Sequence, residues 1–222
     1  MAKPFSNREK PIETWVFDLD NTLYHPSARL FDQIEERMRT FIARELALSL
    51  HEADRLRSTY WAKYGTTLAG LMAEHSIKPM KFLEEVHDID LSDLDEDARL
   101  SAQIDGLPGR KIVFTNGDAD YAQRVLAAIG LTNSFDALYG IEHADFIPKP
   151  AAQAFDTVFA IEAMDTATAV MFEDTARNLE VPHARGMGTV LVHASTENQA
   201  HIHHDTYDLA GFLSQLTDAP LP

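Results

Sequence analysis

Cysteine is absent from the 222 residues, which excludes disulfides, thiolate nucleophiles and zinc sites built on cysteine. Positive charge is scarce: 19 Lys and Arg against 35 Asp and Glu leave a net charge of −16. A protein that holds a nucleic-acid backbone needs clustered cations to release counterions, so no nucleic-acid polymer is expected as a partner. The deficit does not exclude a small phosphorylated ligand, because a bound metal can be the largest charge in a site. No apolar run approaches the roughly 18 residues that span a bilayer. Residues Met1 to Lys10 are polar and lack the apolar centre of a signal peptide. A loose leader and a cytoplasmic location are therefore expected. What is present, 45% hydrophobic and 24% charged residues, is ordinary for a globular chain long enough to bury a full core.

The chain turns on Trp15 to Leu23. An apolar run from Ile12 to Phe17 reads as a buried strand, and it stops at Asp18-Leu19-Asp20-Asn21-Thr22. Two carboxylates at i and i+2 past a strand end can share a divalent cation, and ligands of open parallel sheets sit at the carboxyl ends of strands. A polar turn is the plain alternative. From residue 26 to 105 nothing reads as a strand. Leu30, Ile34, Met38, Phe41, Ile42 and Leu46 recur at helical spacing, and Glu52–Tyr64, Leu68–His75, Met80–Val86 and Glu96–Ile104 give further helical pieces. Beyond residue 110 strands and helices alternate. The strands are Ile112–Phe114, a weaker candidate over Asp136–Ile141, Ala169–Phe172 and Val190–Val192; helices are expected from Asp118 or Asp120 to Ile129, over Ala151–Ala163, Thr175–Ala184 and Leu209–Leu216. The pattern predicts an α/β fold, a doubly wound parallel sheet formed by residues 1–25 and 106–222 with a helical cap, 26–105, inserted after the first strand. The tract His201-Ile202-His203-His204 reads as a solvated loop, with metal binding as the lesser alternative.

Polar groups recur where later strands end: Thr115-Asn116, then Lys149 between two prolines, then Glu173-Asp174. Singly each has a bland reading, such as an acidic pair favoured by a helix dipole. Asp18, Asp20, Thr115, Lys149 and Asp174 together resemble, in order and context, the haloacid dehalogenase superfamily. The resemblance runs from the first strand to Val192 and implies an Mg²⁺-dependent phosphatase. On it Asp18 is nucleophile and metal ligand, and Asp20 is the acid and base, its backbone carbonyl also facing the metal. Asp174 completes the metal ligands. Thr115 and the backbone of Asn116 bind phosphate, Lys149 holds nucleophile and phosphate together, and Glu173 and Asn178 support from behind. The chemistry is consistent with this, because phosphoryl transfer needs positioning and charge stabilisation above all, and a carboxylate nucleophile splits one hard step into two.

The acid at Asp20 favours phosphate esters over halides, since a departing halide needs no proton. The segment Tyr60 to Leu71, with Asp20 to Tyr24 and Phe172 to Asn178, is similar to the pyrimidine 5′-nucleotidase branch. That similarity implies a nucleoside monophosphate, UMP or CMP, as partner, with Tyr60, Tyr64, Thr66 and Thr67 as candidate base contacts in the cap. An aromatic can stack on a base for about 1–3 kcal/mol, and an aromatic in a cap is equally a core residue. A phosphatase or mutase of another metabolite, such as a sugar phosphate or phosphoglycolate, is the alternative. A phospho-aspartate receiver is the distant one: it shares the residue types but has no acid two residues past the nucleophile.

Overall fold

The computed structural model describes residues 3–193 and 199–217. Residues 1–2, 194–198 and 218–222, which belong to the expected core segments 1–25 and 106–222, lie outside the described residues. Strand β1 (Thr14–Phe17) is followed by helices α1 (Leu30–Glu45), α2 (Leu50–Tyr64), α3 (Thr67–His75), α4 (Pro79–Val86) and α5 (Ala98–Asp105). Then come β2 (Arg110–Phe114), α6 (Ala119–Ala128), β3 (Ala137–Tyr139), α7 (Ala152–Ile161), β4 (Ala169–Glu173), α8 (Glu180–Ala184), β5 (Gly188–Val192), β6 (His204–Thr206) and α9 (Leu209–Leu213). All pairings are parallel, in the order β3-β2-β1-β4-β5-β6. The order reverses direction at β1, so the crevice at its carboxyl end is the switch point of a doubly wound sheet.

The strands alternate strictly between two packed layers. Trp15, Phe17, Val113, Val170, Phe172, Val190 and Val192 face one cluster, with α5, α6 and α9. Val16, Ile112, Phe114, Ala169, Met171 and Leu191 face the other, with α7 and Leu179. A sheet covered on both faces explains why its strands read as continuous apolar runs. Helices α1 to α4 share a third cluster, in which Phe41, Tyr60, Leu71 and Phe82 meet, and Ile141 of the sheet domain joins it. Helix α5 departs from the expected grouping: Leu100 and Ile104 pack against the sheet with Trp15 and Leu213.

Local chemistry sets the helix ends. Ser49 and Glu52 form a capping box at the start of α2, Thr66 caps α3, and Gly65 closes α2 with φ of 86°, a conformation that glycine adopts without strain.

Three expectations are corrected. Residues 3–10 are not a loose leader: Pro4 is buried, the Phe5 ring sits edge-on to His204 at 4.6 Å, and Arg8 donates to the carbonyls of Ala167 and Gly186. The histidine tract is not a solvated loop, because His204 opens edge strand β6, His203 Nδ1 shares a hydrogen bond with Thr189 Oγ1, and His201 Nε2 meets the Ala176 carbonyl. Thr175–Ala184 is not one helix: a 3-10 turn over Ala176–Leu179 precedes the short α8.

Packing of α2 on α3 depends on Gly70, where a Cβ would stand 2.3 Å from Tyr60 Cγ. Overpacking of this kind costs about 1–3 kcal/mol, occasionally more. Gly70→Ala is expected to lower the unfolding free energy by at least that order, read from denaturant melts; an unchanged midpoint would contradict the packing described.

Candidate active site

Asp18 stands one residue past β1, and its backbone N–H still reaches the Phe172 carbonyl at 2.9 Å. The chain then turns, with the N–H groups of Thr22 and Leu23 both bonded to the Leu19 carbonyl and Asn21 at φ 60°, a conformation asparagine tolerates. The turn returns the Thr22 hydroxyl to Asp18, donating to Oδ2 at 2.9 Å. The other oxygen, Oδ1, accepts from Lys149 Nζ at 2.7 Å. The same ammonium donates to the Phe114 carbonyl at 2.8 Å and to Glu173 Oε1 at 2.9 Å, so a lysine only 2% exposed has all three N–H groups satisfied. Asn116 holds the Lys149 backbone from both sides, accepting from its N–H at 2.8 Å and donating to its carbonyl at 3.1 Å.

The electrostatics follow from burial. Burial pushes the Asp18 carboxyl up to about 7 against the pull of Lys149, and Glu173 and Asp20 add to the rise. Burial, then the charge of Asp18, raises Asp174 to about 6. Glu173 is raised by burial against Lys149. Burial alone would lower the Lys149 ammonium, but Asp18 and Glu173 more than offset it and hold it above its ordinary value. Burial raises Asp20 too, against two phenolic hydrogen bonds that favour its charged form.

Asp18, Glu173 and Asp174 can bring one carboxylate oxygen each within 4.8 Å of one another. Three hard oxygen donors, all with raised pKa, suit a cation such as Mg²⁺. Glu173 is the poorest ligand of the three. Its Oε1 accepts from Lys149 and from Asn178 at 2.6 Å, and its Oε2 accepts from the Thr175 N–H at 2.7 Å. Asp174 accepts from the Thr175 hydroxyl at 3.1 Å and is partly exposed. Thr115 follows β2 directly, its Oγ1 accepting from the Gly117 N–H at 3.0 Å, which leaves its hydroxyl proton free to donate. The side chain of Asn116 is committed to Lys149, so any phosphate contact there falls to its backbone.

The four cap residues nominated as base contacts are engaged within the cap. Tyr60 is buried and bonded to His75 Nε2, and the Tyr64 hydroxyl donates to Glu74. Thr66 caps α3, and Thr67 is buried with its hydroxyl on the Arg57 carbonyl. The structure therefore gives each of them a partner within the α2–α3 pair: His75, Glu74 and Ala69 lie on α3 and Arg57 on α2. The cap does approach the site, since a Cβ at Gly65 would lie 3.9 Å from Pro148 Cγ, next to Lys149. Two residues that motif reading passed over reach Asp20: the hydroxyls of Tyr24 and Tyr121 both donate to its Oδ1 at 2.7 Å. Tyr24 had a local signal, four residues beyond Asp20. Tyr121, 101 residues away, had none.

A family model described as haloacid dehalogenase-like hydrolase matches residues 12–184, a span that holds every residue above from Asp18 to Asn178. The chain belongs to this family. Phosphate metabolism protein 8 of Saccharomyces cerevisiae is 26% identical over 197 residues, 81% of this chain; the chain spans 61% of that relative's length. Among solved structures, a 2-haloacid dehalogenase of Pseudomonas syringae aligns at TM-score 0.59 and 17% identity over 92% of this chain and 98% of its own. An HAD phosphatase of Thermococcus onnurineus aligns at 0.58 and 16% over 87% and 93%. At these identities the structures speak for the fold alone. No helix among the described residues is long and apolar enough to cross a membrane.

The raised carboxyls make stability depend on pH and on cation. Folded values above the ordinary 3.8 mean that Asp18 and Asp174 contribute stability fully present below about 3.8 and lost as pH rises through about 6 and 7. In the metal-free protein Asp174→Asn is expected to melt higher than wild type at pH 8, the gap closing toward pH 4. Mg²⁺ is expected to raise the wild-type Tm at pH 8 and to leave the variant's nearly unmoved. A thermal melt series checks both; an equal Mg²⁺ shift in the two proteins would remove Asp174 from the cation site.

Proposed function

We propose that the protein is a phosphatase that passes the phosphoryl group through Asp18. One observation carries the choice over halide displacement: a second carboxylate, Asp20, lies half-buried two residues beyond the nucleophile, and loss of solvent favours its protonated form. Asp18 attacks phosphorus while the ester bond breaks, and Asp20 gives its proton to the departing oxygen. Asp20 then takes a proton from water as that water attacks the aspartyl-phosphate, freeing inorganic phosphate and restoring Asp18. Thr115 and the backbone N–H of Asn116 are assigned to the phosphoryl oxygens, and Lys149 to the charge shared by nucleophile and phosphate. Asp18, Asp174 and the Asp20 carbonyl are the ligands assigned to Mg²⁺, which when bound neutralises the repulsion between carboxylate and phosphate. Glu173 and Asn178 hold Lys149 and the loop after β4 in place.

The substrate we propose is a pyrimidine nucleoside monophosphate, UMP or CMP, with a cytoplasmic location as part of the same reading. Its support is the likeness of residues 60–71 and of the motif turns to the 5′-nucleotidase branch. The name of the yeast relative, a phosphate metabolism protein, supports the phosphatase step. Of the aromatics in that cap segment, Trp61 is the exposed one, at 63%. A second reading, another small phosphate ester such as a sugar phosphate, is favoured by the engagement of Tyr60, Tyr64, Thr66 and Thr67 inside the cap. The division into core (1–25, 106–222) and cap (26–105) belongs to the proposal; the separate cluster of α1 to α4 supports it, and the packing of α5 argues for ending the cap before Ala98.

Phosphate release from nucleotides and sugar phosphates with Mg²⁺ tests the assignment. UMP or CMP is expected to be turned over fastest, and Asp18→Asn is expected to lower kcat by about three orders of magnitude or more, as loss of a nucleophile does. Faster release from sugar phosphates would move the assignment to the second reading. No release from any monoester would end the phosphatase reading.

A further inference from the structure

We infer that Tyr24 and Tyr121 are positioning residues for proton transfer, orienting Asp20 so that its Oδ2 alone is left to serve the leaving oxygen. The inference rests on the phosphatase reading of Asp20 and adds residues that the reading does not use. Both phenols donate to Oδ1 at 2.7 Å, one from the turn after β1 and one from the first turn of α6. A carboxylate oxygen offers two lone-pair directions in its plane, so two donors fill Oδ1 and fix the carboxyl group's rotation. Burial raises the pKa of each phenol, and the charge of Asp20 raises it further, so both stay donors.

The clamp is itself held. Tyr121 is fully buried, and its ring lies stacked on the His87 imidazole with centroids 4.4 Å apart and planes 15° apart. Asp118 fastens both members: its Oδ1 accepts from the Tyr121 N–H at 2.8 Å, and its Oδ2 is hydrogen-bonded to His87 Nδ1. His87 closes α4, and the Arg124 guanidinium of α6 binds its carbonyl. On the other side Gly117 makes room, since a Cβ there would meet Tyr121 Cδ1 at 3.0 Å. The end of the helical block thus forms the back wall of the phenol that sets the orientation of Asp20. Among the described residues no hydrogen bond joins His87 to Asp20 or to the nucleophile, yet its removal leaves the Tyr121 ring without its stacking partner.

Leaving-group dependence separates positioning from general structural support. An alkyl phosphate needs its departing oxygen protonated, whereas a nitrophenyl phosphate leaves as a stable phenolate. The ratio of kcat/KM for the alkyl ester to that for the aryl ester therefore reads proton donation during attack by Asp18. The variants are Asp20→Asn as reference, with Tyr121→Phe, Tyr24→Phe and His87→Ala, each first shown to be folded by its thermal melt and by a wild-type Mg²⁺ shift. General acid catalysis is worth about 10²- to 10⁴-fold, so Asp20→Asn should lower the ratio by at least about a hundredfold and each tyrosine variant by about tenfold. His87→Ala should lower it in the same direction by less. Equal loss on both esters in the tyrosine variants, or no loss, overturns the inference while Asp20→Asn keeps the phosphatase reading in place. Absence of phosphate release by the wild-type protein from either ester overturns both together.

Discussion

One buried ammonium organises the catalytic end of the sheet. Taking a lysine out of water costs several kcal/mol unless its charge and all its protons find partners. Lys149 finds Asp18 after β1, the Phe114 carbonyl at the end of β2, and Glu173 at the end of β4. These are the three central strands, so a single side chain ties together the ends of β2, β1 and β4. Its charge does not balance the site. Asp18, Glu173 and Asp174 face one lysine; burial lifts their pKa values, the neighbouring carboxylates add to the rise, and the surplus of negative charge is what a divalent cation would neutralise.

The two packed layers supply the precision that this arrangement needs. Because residues 14 to 17 point alternately into different clusters, a slip of one residue in β1 would exchange Trp15 and Phe17 for Val16 and carry Asp18 to the wrong face. Phe17 also stacks on Phe172 of β4, with centroids 4.6 Å apart and planes within 6°, directly before Asp18 and Glu173. The helical block stands on a different footing, with its own cluster joined by Ile141, and it meets the site at Gly65 beside Pro148 and at His87 beside Tyr121.

What could be read from the sequence was whatever is local. The β1 run, the strand-end carboxylates, Thr115 and the order of strands and helices all depend on residues close in the chain, and the parallel sheet follows from their alternation. The helices over Leu30–Glu45 and Leu50–Tyr64 show in the spacing of their apolar residues. Strand β6 escaped because its three residues, His204-Asp205-Thr206, are polar and pair on one edge only. Tyr60 and Tyr64 were nominated on a likeness of sequence, and helical spacing cannot tell an aromatic facing a pocket from one facing a neighbouring helix. Tyr121 and His87 carried no signal, and Asp118 showed only as a helix start, since their value at the site comes from contacts across 31 to 101 positions.

The backbone bond from Asp18 to the Phe172 carbonyl has a kinetic meaning as well as a geometric one. It places Asp18 on the last rung between the two strands at the middle of the sheet, which is covered on both faces. Amides in such places exchange their hydrogens only when the whole domain opens, whereas segments with fewer buried partners open on their own. Asp18 is thus anchored in a part of the chain that opens only with the sheet itself. The turns that flank it, at Asn21, Gly65 and Pro148, are left to make whatever movement entry and exit require.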